Sequence, residues 1–231
     1  MFQRDYKVEL ENRVQFIKDV LADARADGVV FGNSGGKDSA LVGILCKLAC
    51  EDVVGIIMPC QSKRNYDEDT TDALEVANQF HIETITIDLS ATKASIVDAI
   101  ISVSKIAPMA SNNIAPRLRM TTLYCIAQTR NALVAGTGNK SERTMGYFTK
   151  WGDGACDFNP IADLTATEIF EFLRYLNAPI SIIEKAPSAG LFDGQTDEQE
   201  MGITYAQLDD YIKTGEADKS VKDKIDRAYQ I

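Results

Sequence analysis

This chain is short of the residues that most enzymes use for direct side-chain chemistry. It has one histidine, His81, and one tryptophan, Trp151, in 231 residues. A lone histidine with no second histidine or cysteine pair nearby does not suggest a zinc site or a catalytic triad. His81 follows a helical run and precedes an apolar strand, so a surface position is expected. The five cysteines (46, 50, 60, 125 and 156) form no C-x-x-C pair. An odd number without framework spacing fits a reducing compartment. Basic charge is also scarce: 24 Lys and Arg against 34 Asp and Glu, a net charge of −10. That speaks against nucleic acid as a partner, which selects a basic stripe. No apolar run approaches the ~20 residues that cross a bilayer. The segment Met1-Phe2-Gln3-Arg4-Asp5 carries no secretory hydrophobic region, and a cytoplasmic location without membrane attachment is expected.

What is present is an ordinary globular composition, 45% hydrophobic and 25% charged, enough for a substantial core. Spacings of three and four among Leu10, Val14, Ile17, Val20, Leu21 and Ala24 predict a helix over 6–26. Strands and helices then alternate. Strands are expected at Val29–Gly32, Val53–Met58, Ile82–Asp88 and Ala132–Gly136. Helices are expected at Lys37–Ala49, Asp67–Phe80, Thr92–Lys105 and Arg117–Gln128. This order predicts βαβ units: a Rossmann-like, doubly wound α/β fold with a mostly parallel sheet flanked by helices, in a single domain over 1–231. The apolar stretches 94–103 and 120–134 suit either core or an interface. Ligands of such sheets bind beyond the carboxyl ends of the strands. Three polar clusters fall there, at Ser34–Ser39, Pro59–Tyr66 and Thr137–Glu142, and are expected to share one cleft.

The most informative cluster is Ser34-Gly35-Gly36-Lys37-Asp38-Ser39, between an apolar strand and a helix. Two glycines admit close approach of backbone N–H groups to an anion, and the helix N-terminus adds partial positive charge. Asp38 adds a carboxylate, which beside phosphates suggests Mg²⁺. The loop is not a Walker motif, because Asp38 separates Lys37 from Ser39 and Phe31 stands where a glycine is required. It is not G-x-G-x-x-G either. It resembles the S-G-G-x-D-S loop of the N-type ATP pyrophosphatases, which split ATP between the α and β phosphates. The plain alternative is a glycine-rich turn before an ordinary helix. Cys46 and Cys50 lie four apart on that helix. Some relatives of this loop transfer sulfur to RNA, but small buried apolar residues are the simpler reading of the pair.

Later blocks narrow the resemblance. Asn113-Ile114-Ala115-Pro116-Arg117-Leu118-Arg119-Met120, Gly136-Thr137-Gly138-Asn139-Lys140-Ser141-Glu142, Phe148–Asp157, and Pro187–Leu191 with Gln195–Glu198 follow in order. Together with the loop they are similar to the ammonia-dependent NAD synthetases over nearly the whole chain, with Pro116 where that family has alanine. The resemblance implies ATP-dependent amidation of nicotinic acid adenine dinucleotide (deamido-NAD) by ammonia, releasing AMP and pyrophosphate. It assigns ATP binding to Gly32, Asn33, Ser34, Gly35, Gly36, Lys37, Asp38, Ser39, Thr137 and Ser188. Asp38 and Glu142 are the implied Mg²⁺ ligands. Arg117, Lys150 and Asp157 are the implied contacts of the second substrate, and Asp38, Lys37 and Lys150 the implied catalytic groups. For Arg117 and Lys150 the plain alternative is a solvated surface charge.

The resemblance further implies a homodimer that shares the dinucleotide site. A chain of 231 residues leaves no room for an amidase domain, so free ammonia, or ammonia from a separate glutaminase, is the expected donor. Two departures from the family stand out. Ala166 replaces a lysine that holds ATP phosphates, a role Lys37 is expected to take over, and the His-Lys pair expected after Arg227-Ala228-Tyr229 is missing. The competing readings are a GMP synthetase-like or RNA-thiolating enzyme with the same loop, and a nucleotide-binding module without turnover.

Overall fold

A computed structural model describes residues 4–60, 68–185 and 197–228. It opens with α1 (Tyr6–Ala24), capped by Asp5, whose carboxylate accepts from the N–H groups of Lys7 and Val8. Four strands follow: β1 (Gly28–Gly32), β2 (Val53–Ile57), β3 (Glu83–Thr86) and β4 (Ala132–Ala135). They form one parallel sheet in the order β3-β2-β1-β4. The central strands β1 and β2 are buried on both faces, which explains their unbroken apolar sequence; edge strand β3 is half-buried at Thr84 and Ile85 and exposed at both ends.

The two faces are covered by different helices. Val29, Phe31 and Val53 pack against Ile17 and Leu21 of α1, Leu41, Ile44 and Leu45 of α2 (Lys37–Ala49), and Ile169, Phe172 and Leu173 of α8 (Ala166–Tyr175). Val76 and Ala77 of α3 (Glu68–Phe80) complete that layer. On the other face Val30, Val54, Ile56 and Val134 meet Ala115, Leu118, Leu123 and Ala127 of α6 (Ile114–Thr129). The sheet is therefore doubly wound. The chain runs outward from β1 to β3, then returns to place β4 on the other side of β1. The loops after β1 and β4 diverge at that reversal, which is where such sheets form a crevice.

Between β3 and β4 lie α4 (Ser90–Ile101) and α5 (Pro108–Asn112). The apolar stretch 94–103 is not core in this chain: α4 has no buried residue, and Ile96, Ile100, Ile101, Val103 and Met109 are exposed. The stretch 120–134, in contrast, packs on the sheet.

After β4 come α7 (Lys140–Thr144), α8, α9 (Ile180–Glu184), α10 (Asp197–Met201), α11 (Tyr205–Thr214) and α12 (Lys219–Ala228). Ala166, Ile203, Tyr205, Leu208, Val221 and Ile225 form a smaller core. It is pinned to the sheet layer by Asp209, which is buried. Asp209 accepts from the Ser141 hydroxyl and from the Thr167 N–H (2.8 Å), while Ser141 Oγ accepts from the Ala166 N–H (3.0 Å). Two free N–H groups at the start of α8 are thus satisfied by side chains from α7 and α11, as a buried helix end requires.

Observed element ends differ from the sequence expectation by a few residues. The strand expected over Ile82–Asp88 is confined to Glu83–Thr86, and the helix expected from Thr92 starts at Ser90. His81 is exposed at φ +55, ending α3 in the left-handed region. Cys46 is fully buried and Cys50 half-buried; burial pushes both thiols up, Cys50 to about 11, so neither is a ready thiolate.

Candidate active site

The cleft lies at the reversal point between β1 and β4, with a cavity of about 510 Å³. Its floor is the loop leaving β1. Asn33 is buried, donating its side-chain amide to Ala73 O (3.2 Å), while its backbone N–H meets Ile56 O (2.9 Å). Ser34 Oγ lies 3.1 Å from Ser39 Oγ and accepts weakly from Gly36 N–H at 3.3 Å. Gly36 is the N-cap of α2 and supplies no side-chain cap. The first N–H groups of α2 therefore face the cleft with their partial positive charge, which suits an anion. Gly35 sits at φ +72 with its outer flank against the Asp69 carbonyl, where a Cβ would come within 2.1 Å of that oxygen.

Both oxygens of Asp38 are held. Oδ2 lies 2.7 Å from Lys37 Nζ, and Oδ1 accepts from Asn139 Nδ2 at 3.0 Å. Asn139 is fully buried and caps α7: its Oδ1 accepts from Glu142 N–H (2.9 Å), and its N–H donates to Glu142 Oε2 (3.0 Å). Asn139 therefore joins the two carboxylates that the family resemblance nominates as metal ligands, with its side-chain amide on Asp38 and its backbone N–H on Glu142, although they lie in the first turns of helices that follow different strands. Among the described residues no group of three His, Cys, Asp or Glu could hold a metal alone.

Lys37 is buried, with its ammonium 5.2 Å from the Tyr205 ring centre and 5.8 Å from that of Phe170. Tyr205 packs in the same small core as Ala166, and Phe170 lies one turn further along α8. The ammonium of Lys37 thus approaches from α2 the region where a side chain at 166 would project.

Gly32, Asn33, Ser34, Gly36, Lys37, Asp38, Ser39, Thr137 and Glu142 all line this cleft; Gly35 lies just behind its wall. Pro59 contributes, while the rest of the cluster at 61–66, and Ser188, fall outside the described residues. Arg117, Lys150 and Asp157 do not line the cleft. The Arg117 guanidinium is exposed and donates to Lys150 O (3.3 and 3.2 Å), and Lys150 Nζ lies 5.7 Å from the Trp151 ring centre. Asp157 accepts from Val134 N–H (2.8 Å) and Tyr124 OH (3.2 Å) in a neighbouring depression shared with Gln128 and Asn131.

Four charged residues in the cleft, Arg119, Asp69, Lys185 and Asp153, were not singled out from sequence. Arg119 donates to Met58 O (3.1 Å), and desolvation lowers its guanidinium from the usual range. Residues 117 and 119 lie two apart on α6, so they point to nearly opposite sides, and only one can face inward. Asp69 and Lys185 enter from α3 and from the end of α9. Asp153 lies in the cleft wall; crowding by protein raises its carboxyl above the ordinary range, although its surface meets the cleft.

A doubly wound parallel sheet, a glycine-rich anion loop at its reversal point and two carboxylates joined across the crevice define a nucleotide-binding α/β enzyme. The chain belongs to the NAD synthase family, whose family model matches residues 9–230. The NH(3)-dependent NAD(+) synthetase of Carboxydothermus hydrogenoformans is 46% identical over 96% of this chain and 92% of its own. The structure of NMN synthetase from Francisella tularensis superposes with a TM-score of 0.93 at 35% identity, covering 99% of this chain and 94% of that one. The NH3-dependent NAD synthetase of Campylobacter jejuni superposes with a TM-score of 0.78 at 32% identity, covering 99% and 95%.

Proposed function

We propose that this protein forms NAD from deamido-NAD, ammonia and ATP, by adenylating the nicotinate carboxylate and then exchanging AMP for ammonia. The observation that carries this reading is the Asn139 bridge. It ties the carboxylate of Asp38, which is part of the anion loop, to that of Glu142 in the same crevice, as a triphosphate with a divalent ion requires. Membership in the family supports the reaction itself.

The loop N–H groups of 34–39 and the Lys37 ammonium bind and orient the phosphates. Thr137 faces them from the other side of the crevice. Asp38 and Glu142 would hold Mg²⁺. The fit is good, because this ion is usually bound by one or two carboxylates plus phosphate oxygens rather than by a full protein cage. When bound, the ion neutralises phosphate charge and makes the α-phosphorus more electrophilic. Fixed N–H dipoles then stabilise the charge that grows as pyrophosphate leaves, without reorganising. No side-chain nucleophile is required, which suits a cleft with no histidine in it. Ser188 is placed with ATP on the family resemblance alone.

Arg117, Lys150 and Asp157 would hold the acid dinucleotide outside the crevice. Arg117 offers a fork for an anionic oxygen, and exposure of all three fits a site completed by a second copy. We assign a homodimer on the same basis, supported by the exposed apolar row Ile96, Ile100, Ile101 and Val103, which costs solubility unless covered. Ile100→Asp with Ile101→Asp is expected to convert the dimer to monomer in sedimentation velocity. A wild-type monomer would remove this assignment. A cytoplasmic location fits the unpaired cysteines, and among the described residues no helix is long and apolar enough to cross a membrane.

A second reading rests on the likeness to the Francisella NMN synthetase: the acceptor is nicotinic acid mononucleotide, which lacks the AMP half. One assay tests both. Purified protein with ammonium, ATP and Mg²⁺ is given each acid in turn, and pyrophosphate and amide product are measured. The proposal expects NAD from deamido-NAD with the larger kcat/KM. A larger value for the mononucleotide would transfer the assignment, and no amide from either would reject it.

A further inference from the structure

Lys185 ends the segment after α9 and reaches back into the cleft wall. Its ammonium donates to three oxygens: Gly35 O (3.3 Å), Asp69 Oδ1 (2.8 Å) and Asp72 Oδ2 (2.5 Å). All three side chains are largely shielded, at 15%, 13% and 15% exposure for Lys185, Asp69 and Asp72. Two carboxylates held this close to a triphosphate site are a liability, since each repels the ligand in a medium that screens poorly. Lys185 cancels one of the two charges and engages one oxygen of each carboxylate.

The contact with Gly35 has a second effect. The peptide from Gly35 to Gly36 is planar, so its C=O and N–H point to opposite sides. Holding Gly35 O on Lys185 fixes the plane of this peptide and with it the direction of the Gly36 N–H, at a position where Gly36 lines the cleft. Among the described residues that N–H makes one long contact, 3.3 Å to Ser34 Oγ inside the loop. It is a lightly engaged donor at the lining of the cleft.

We propose that Lys185 is a positioning residue for ATP. It fixes the orientation of the Gly35–Gly36 peptide and neutralises the acidic flank formed by Asp69 and Asp72. The inference rests on the reading that the loop binds the triphosphate, and adds a residue outside the loop that sets its affinity. Because Lys185 touches the loop rather than the reacting atoms, its loss acts on ATP binding and leaves the second substrate alone.

The experiment compares wild type, K185R, K185M and K185M/D72N in the full chain, by equilibrium titration with ATP and by steady-state kinetics in each substrate. K185M keeps the aliphatic stem but removes the ammonium from two largely shielded carboxylates. It is expected to weaken ATP binding about tenfold and to raise KM for ATP, with kcat and KM for deamido-NAD changed less than about threefold. K185R is expected to stay near wild type. K185M/D72N returns the local net charge to its starting value and is expected to fall between wild type and K185M. Unchanged ATP affinity in K185M, or equal losses for both substrates, overturns the proposal. Failure of wild type to bind ATP would instead reject the function of the loop itself, a separate outcome.

Discussion

Asp38→Asn is expected to lower kcat/KM for NAD formation by about 10³-fold, roughly 4 kcal/mol of transition-state stabilisation. The two molecules differ by one atom, so the size of the effect must come from charge and donor geometry. Asp38 accepts from two donors at once, the Lys37 ammonium on Oδ2 and the Asn139 amide on Oδ1. An asparagine has one acceptor oxygen. If it serves Asn139, its NH₂ faces an ammonium inside the protein; if it serves Lys37, its NH₂ faces the Asn139 NH₂. Either arrangement costs one shielded donor its bond to this side chain, about 1–3 kcal/mol. It also removes one of the two carboxylates proposed for the divalent ion. The Mg²⁺ concentration for half-maximal rate is therefore expected to rise, and ATP affinity without Mg²⁺ to change much less. Retention of kcat/KM within about threefold, with an unshifted Mg²⁺ profile, would remove Asp38 from the mechanism.

Much of this cleft was legible because its parts are local. The loop 34–39 is a contiguous string whose glycines, hydroxyls and carboxylate announce strand, turn and helix N-terminus, and the structure places it there. The sheet was legible for the same reason: buried parallel strands such as Val53–Ile57 are unbroken apolar runs between helices. The C-terminal helices escaped notice because their burial is long-range. The order of α8 and α11 depends on Asp209 reaching Ser141 and Thr167 from distant sequence, and no periodicity reports such a partner. The same limit hid Lys185, whose three acceptors lie 113 to 150 residues earlier in the chain. Arg119 was within sight, in the block that nominated Arg117, but choosing between the two requires knowing which face of α6 meets the sheet. Ala166 shows the converse. The sequence marks it as a missing lysine, while the structure shows a site with no solvent exposure in a small core, and places the Lys37 ammonium against Tyr205 of that core.

The second large effect is expected at Gly35, which carries no chemistry. Gly35→Ala meets two independent penalties. Its φ of +72 lies in the left-handed region, where an L side chain costs roughly 1–2 kcal/mol. Its new Cβ would also stand 2.1 Å from Asp69 O and 2.9 Å from Asp69 C. Those are backbone atoms in the first turn of α3 and cannot rotate aside as a side-chain tip can. Either the loop moves into the cleft or α3 retreats, and the second choice pulls Asp69 and Asp72 off Lys185. A combined loss of about 2–3 kcal/mol is expected, a fall in Tm of roughly 5–10 °C for a chain of this size. Gly36→Ala is the control. Gly36 has an ordinary φ of −96, and its nearest neighbour for a Cβ is the Ser34 hydroxyl at 3.3 Å, a movable group. Its Tm is expected to stay within about 3 °C of wild type. ATP affinity separates the two possible relaxations of Gly35→Ala. A loop pushed inward blocks the triphosphate and abolishes binding at concentrations that saturate wild type, whereas a displaced α3 gives the roughly tenfold loss expected of K185M. Equal melting temperatures for Gly35→Ala and Gly36→Ala, with ATP affinity intact in both, would show that the loop is not wedged against α3, and the positioning of Gly36 N–H would need another cause.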